Sequence, residues 1–172
     1  MELNELANVL EGLLFLSPRP VKADDVTEHL GADAEHVGDA FRLLAERREG
    51  TGLELKEVAG GFELVTRAEG VEHLKKFFSN LEKTRLSRAA LETVAVVAYR
   101  QPITRGEIEA IRGVNSSGVL QSLLEKELIR ISGRSDAPGR PFRFSTTPAF
   151  LRLLGLKNLT ELPAVETFDK KV

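Results

Sequence analysis

Cysteine is absent from the 172 residues, histidine occurs only three times, and no apolar run approaches the roughly 20 residues that cross a bilayer. The first absence excludes a disulfide framework, a thiolate metal site and a cysteine nucleophile. His29, His36 and His73 show no HxxxH-type spacing, so no metal site is expected. The stretch LETVAVVAY is bounded by charge, and the opening MELNELANVLEG is acidic where a secretory signal is basic, so the expectation is a cytoplasmic protein with no membrane partner. Ser116-Ser117 has no histidine or lysine beside it in the motif, and GRSDAPGRP lacks the GK[ST] ending of a phosphate loop. Asp24-Asp25 and Glu125/Glu127 suit helix starts and solvated faces. The expectation is therefore no catalytic residue, no cofactor and no enzyme activity.

What is present is an ordinary globular composition, 42% hydrophobic and 29% charged, with a charge split hidden in a formal net charge of −2. Residues 1–80 hold nine Lys/Arg against sixteen Asp/Glu, a net of −7, whereas residues 81–172 hold fifteen against ten, a net of +5. The halves face different partners or each other. Neither is as basic as a dedicated DNA-binding domain.

Punctuation along Leu86–Thr147 predicts a helix-turn-helix closed by a hairpin. Ser87 offers an N-cap, and Ala89, Ala90, Leu91, Val94, Ala95, Val97 and Ala98 cover over half a helix circumference, which predicts burial on more than one side. Gln101-Pro102 stops that helix, Thr104 caps a short one carrying Ile108 and Ile111, and Gly113 ends it. Asn115 or Ser116 then caps a third helix with Val119, Leu120, Leu123, Leu124 and Leu128 at helical spacing. Ile129/Ile131 and Phe142/Phe144 alternate with polar residues as two half-buried strands, and GRSDAPGRP between them is a loop of eight or nine residues, the wing.

An offset of 82 residues lays the first half on the second: Pro20 on Pro102, Val21 on Ile103, Val26 on Ile108, Gly31 on Gly113, Val37 on Val119, Phe41 on Leu123. Leu53, Leu55 and Val58, then Gly60-Gly61, then Phe62, Leu64 and Thr66 give the first half a hairpin with a wing of about two residues. A last helix is expected from about Glu69 to Phe78. The fold class is mainly α with small β-hairpins, as two tandem winged-helix domains of roughly 75 to 85 residues each. Their bounds are residues 1–80 and 86–162, with a mobile tail at 163–172 and a short NLTELP cap on the second domain.

In the first helix Leu3, Leu6, Ala7, Leu10 and Leu14 lie within about 100° of arc and suit a domain core. Val9, Leu13 and Leu16 form a second stripe, and Phe15 points elsewhere. Either the last helix of the same domain covers that stripe with Val71, Leu74, Phe77 and Phe78, or a second copy of the chain does.

Winged helices ordinarily serve DNA, and a winged-helix transcription regulator is the rival to be weighed. The third helix of the first domain begins with Asp33, Glu35 and Asp39, carboxylates that phosphates repel. Its counterpart in the second domain shows no Arg or Lys before Lys126. Base-specific reading is not expected. Arg100, Arg105 and Arg112 around the second helix, and Arg134 and Arg140 in the wing, leave three uses open: solvated charges, weak nonspecific phosphate contact, or pairing with carboxylates of a protein partner around an apolar centre.

The wording LSRAALETVAVVAYRQPITRGEIEAIRGVNSSGVLQSLLEKELI, followed by GRSDAPGRPFRFSTT and FLRLLGL, resembles the segregation and condensation protein B family, accessory subunits of the bacterial condensin. The similarity is dense over Leu86–Leu162 and looser but collinear over Met1–Asn80. It implies a homodimer through the first domain, with Val9, Leu13 and Leu16 at the interface. It also implies binding to the central region of the kleisin subunit, segregation and condensation protein A, through Thr104, Arg105, Glu107, Ile111, Arg112, Gly113, Val114 and Arg140. The kleisin would connect the chain to the SMC ATPase and thereby to the nucleoid, regulating chromosome condensation and segregation, with at most weak nonspecific DNA contact.

Overall fold

The structure, a computed structural model, describes residues 1–77 and 86–164. These form two compact units, one from residues 1–77 together with 155–164 and the other from residues 86–154. The linker 79–85, Phe78 and most of the expected tail lie outside the described residues.

In the first unit α1 (Leu3–Leu16) turns Leu6, Ala7, Leu10 and Leu14 inward, the stripe its periodicity predicts, onto Val37, Ala40, Phe41 and Leu44 of α3 (Ala34–Arg47). Between them α2 (Ala23–Leu30) contributes Val26 and ends at Gly31 with φ 63°, a left-handed conformation that glycine adopts without a Cβ clash. Asp33 caps α3 by accepting from the Glu35 N–H at 3.1 Å. Polar ties reinforce the α1–α3 seam: Arg47 donates to Asn4 and Asn8, and Arg48 pairs with Glu11.

The hairpin pairs β1 (Leu53–Val58) with β2 (Gly61–Thr66) in antiparallel register, Leu53 opposite Thr66 and Val58 opposite Gly61. Its turn is Ala59-Gly60, at φ 51° and 75°. The expected Gly60-Gly61 turn is thus one residue too far along, because Gly61 is needed in the strand. There Val21 and Phe62 exchange hydrogen bonds at 2.8 and 2.7 Å, and a Cβ on Gly61 would lie 2.9 Å from the Val21 carbonyl oxygen. Phe62 stacks on Phe41 with ring centroids 4.1 Å apart.

A last helix, α4 (Val71–Phe77), contributes no buried residue, and its Phe77 is 85% exposed. Val71 and Leu74 are half-buried, Phe78 lies outside the described residues, and Leu13 and Leu16 of the second α1 stripe remain exposed. The NLTELP segment also differs from expectation. It belongs with the first unit, where the Ala59 N–H donates to the Leu156 carbonyl at 2.9 Å and Lys157 pairs with Glu57 at 2.7 Å.

In the second unit α5 (Arg88–Arg100) is capped by Ser87, whose Oγ accepts from the Ala90 N–H at 3.2 Å. It buries Ala90, Thr93, Val94, Val97 and Ala98. Leu91 and Ala95 remain exposed, so this helix is packed on one side and not on several as its apolar count suggests. Thr93 explains part of the miscount: its hydroxyl donates to the Ala89 carbonyl at 2.7 Å, which lets a polar residue sit in the core stripe.

After the two-residue strand β3 (Ile103–Thr104) come α6 (Arg105–Arg112) and α7 (Ser117–Glu125), then β4 (Ile129–Arg134), β5 (Phe142–Thr146) and α8 (Pro148–Leu154). The antiparallel sheet has the order β3-β5-β4. Gln101 ties α5 to this sheet through its Oε1, which accepts from Thr146 N–H at 2.7 Å and from its hydroxyl at 3.0 Å. The wing loop is shorter than predicted, because β4 continues through Gly133 and Arg134. The Ser135 N–H then closes the loop onto the Pro141 carbonyl at 2.8 Å.

Candidate partner-binding site

The second helix of the second unit is held at both ends by its own sequence. At its start the Thr104 hydroxyl accepts from the Glu107 N–H at 3.4 Å, while the Glu107 carboxylate accepts from the Thr104 N–H at 2.8 Å and from its hydroxyl at 2.7 Å. This reciprocal capping box satisfies donors that the first turn leaves open. Hydrogen bonds from the Thr104 hydroxyl and N–H, with the Arg143 charge adding to them, hold the Glu107 carboxyl below the usual carboxylate range. At the other end Gly113 at φ 72° stops the helix, its N–H donating to the Glu109 carbonyl at 2.8 Å.

Arg112 is turned inward, with only 7% of its side chain exposed, and donates to Ser116 Oγ at 2.9 Å and to Glu92 at 3.3 Å. Glu109 in turn accepts from the Ser116 N–H at 3.0 Å, which locks the turn between α6 and α7. Ser116 is consequently buried and stands at the N-cap of the third helix without a side-chain cap bond, while Asn115 before it accepts from the Ser117 N–H at 3.0 Å.

These contacts sort the eight expected partner residues. Thr104 and Arg112 are enclosed within the unit and shape the surface from beneath, whereas Glu107 is exposed but has its carboxylate engaged by Thr104. Ile111 and Val114 stand 55% and 53% exposed on either side of Gly113, an apolar corner open to solvent. Arg105 is exposed along the same helix and reaches Ser117 at 3.3 Å. Arg140 lies apart in the wing loop at φ 44°, and its carbonyl accepts from Arg134 at 3.0 Å. In the first unit Val9 is half-buried, whereas Leu13 and Leu16 are exposed, Leu16 by 78%.

Two shallow hollows flank α6, and sequence reasoning missed part of their lining. One is bounded by Pro102 and Ala110 beside Ile111, the other by Gly106, Pro141 and Phe142 beside Arg105. Phe142 sits on a strand whose alternation predicts a half-buried side chain, yet it remains 43% exposed with the Arg134 guanidinium 4.0 Å from its ring centre. The signal was the pairing of an aromatic with arginines on both sides of a proline-rich loop.

Two helix-turn-helix units, each closed by a hairpin, define a tandem winged-helix protein whose open corner on the second unit is apolar. A family model described as segregation and condensation complex subunit ScpB matches residues 8–165, and the chain belongs to that family. It is 43% identical over 172 residues to a segregation and condensation protein B of Syntrophotalea carbinolica, covering 99% of this chain and 87% of the relative. It is 45% identical over 165 residues to that of Moorella thermoacetica, covering 95% and 84%. Among solved structures it is similar to ScpB from Mycobacterium tuberculosis, at 39% identity and a TM-score of 0.44 over 91% of this chain and 98% of that one. A structure described as a dimer of ScpB N-terminal domain complexed with ScpA peptide matches at 27% identity and a TM-score of 0.41, over 44% of this chain and 96% of that one.

Proposed function

We propose that this protein is a non-enzymatic adaptor of the SMC–kleisin complex, a homodimer through its first unit that binds the central region of the kleisin through its second. The observation that carries the reading is the open Ile111/Val114 corner around Gly113, with Arg105 beside it. An apolar centre edged by an exposed arginine suits an extended acidic chain, which supplies apolar side chains to the corner and carboxylates to the guanidinium. Gly113 lets that chain approach the backbone closely, and Arg140, apart in the wing loop, offers a further charge to the same extended partner. Thr104, Glu107 and Arg112 act by holding the corner in shape.

The stripe on α1 formed by half-buried Val9 with exposed Leu13 and Leu16 supports self-association. A dimer can seat both copies on one kleisin, which raises the effective concentration at the second site. In this role the chain modulates ATP hydrolysis by the SMC subunit, and it works in the cytoplasm, reaching the nucleoid through the complex. The rival reading, a transcription regulator acting alone, is opposed by Asp33, Glu35 and Asp39 at the start of α3.

Calorimetric titration of the full chain with a peptide from the kleisin central region tests the site. Arg105→Glu and Ile111→Asp are each expected to weaken binding at least about tenfold, the loss of a hot-spot contact. Wild-type affinity in both variants overturns the assignment.

A further inference from the structure

The wing sheet of the second unit has a polar face of which the kleisin reading uses only Thr104, opposite Arg143 in the register, as a positioning residue. Alternation along β5 puts Phe142, Phe144 and Thr146 on one side and Arg143 and Ser145 on the other. In register, Arg130 of β4 lies opposite Ser145, and Gly133 lies opposite Arg143. Ser132 is the extra residue of a β-bulge between them. Its hydroxyl donates to the Arg143 carbonyl at 3.4 Å and accepts from the Ser145 hydroxyl at 2.9 Å. The polar face is thus a diagonal pair of arginines framing two serines.

Neither arginine is spent on an internal partner. Among the described residues the Arg130 and Arg143 side chains make no ion pair or hydrogen bond, in contrast to Arg134, which is held over Phe142 and bonded to the Arg140 carbonyl. Glu107, whose carboxylate feels the Arg143 charge, is already engaged by Thr104. From Lys126 to Thr147 the chain carries five Lys/Arg against two Asp/Glu, a local excess of positive charge in a protein of net negative charge.

We propose that this face, Arg130, Ser132, Arg143 and Ser145, is a phosphate-binding surface that takes the backbone of duplex nucleic acid without reading its sequence. The residue types decide the class of partner. Arginine and serine on a flat sheet are donors that suit phosphate oxygens, whereas a protein-binding face is expected to carry aromatic or apolar anchors at its centre, and this one has none. No base-reading side chain accompanies the arginines, so the contact is electrostatic and falls steeply with salt.

The test is fluorescence anisotropy of the full chain with a mixed-sequence DNA duplex of about 30 base pairs between about 50 and 200 mM salt. Wild-type binding is expected to fall by at least about tenfold across that range. Arg130→Glu/Arg143→Glu is expected to lose at least about tenfold at the low-salt end and to flatten the logarithmic salt slope by about 2. Arg130→Lys/Arg143→Lys, which keeps the charge, should remain within about threefold of wild type. Arg88→Glu, at an exposed side chain that opens α5, makes the same kind of charge change away from the wing and should leave binding unchanged. Circular dichroism and retained binding of the kleisin peptide show that the variants are folded, and separate failure of this surface from failure of the kleisin site. Wild-type DNA binding by the double charge reversal overturns the proposal, as does an equal loss in Arg88→Glu. A poly-glutamate peptide that binds wild type as tightly as the duplex, with the same loss on charge reversal, also overturns it by marking the face as a surface for acidic polypeptide.

Discussion

The Arg112 guanidinium donates to the Glu92 carboxylate at 3.3 Å, fastening the end of α6 to the exposed side of α5. The same guanidinium holds Ser116 at the start of α7, so one side chain joins three helices. Arg112→Ala is expected to destabilise the second unit by about 2 kcal/mol, chiefly through the buried Ser116 bond and lost stem packing, since the half-exposed Glu92 contact adds little. Urea denaturation of the full chain measures this; a change below about 0.5 kcal/mol would show that Arg112 is an ordinary surface charge.

The Thr104–Glu107 capping box carries a pH signature. Glu107 titrates below its usual value of 4.5 in the folded chain, so its stabilising contribution is complete above pH 4.5 and is lost as pH falls through the lowered folded value. Glu107→Gln is therefore expected to differ most from wild type at neutral pH and to converge with it in acid. Denaturation midpoints of both proteins between neutral and acidic pH read the convergence. Thr104→Ala should cost about 1 kcal/mol at neutral pH.

Leu13→Asp/Leu16→Asp is expected to convert a micromolar dimer to monomer in sedimentation velocity. Both side chains project from the first unit, so its denaturation midpoint should correspond to a change within about 0.5 kcal/mol. A dimer that survives the double substitution removes α1 from the interface.

Gly61→Ala is expected to destabilise the first unit by about 2 kcal/mol. The added methyl meets the Val21 carbonyl carbon at 3.0 Å and the Pro20 carbonyl carbon at 3.2 Å, backbone atoms that cannot rotate away. Amide exchange should rise at Val21 and Phe62, whose mutual hydrogen bonds the methyl forces apart.

Much of this architecture can be read from residues whose physics is local. Ser87, Thr104, Gly31 and Gly113 mark helix ends because cap oxygens and left-handed glycines act within a turn, and the α1 core stripe follows from helical spacing alone. Errors arise where distant parts of the chain decide. Leu91 and Ala95 are apolar yet open, Arg112 and Thr104 are polar yet enclosed, and NLTELP joins the first unit in place of the second. The candidate corner was legible as a surplus of apolar residues around Gly113. Which neighbouring arginine is presented and which is consumed internally depends on Glu92 and Ser116, and no spacing rule pairs those with Arg112 in advance.

The clip at Thr104 also bears on chemical mimicry. A helix of eight residues is too short to persist by itself in water, where about 12 to 15 are needed even for favourable sequences. A free peptide copied from this segment would be disordered and would display Ile111 only transiently. A competitor patterned on it needs a covalent staple, or an equivalent constraint, in place of the scaffold that the protein provides.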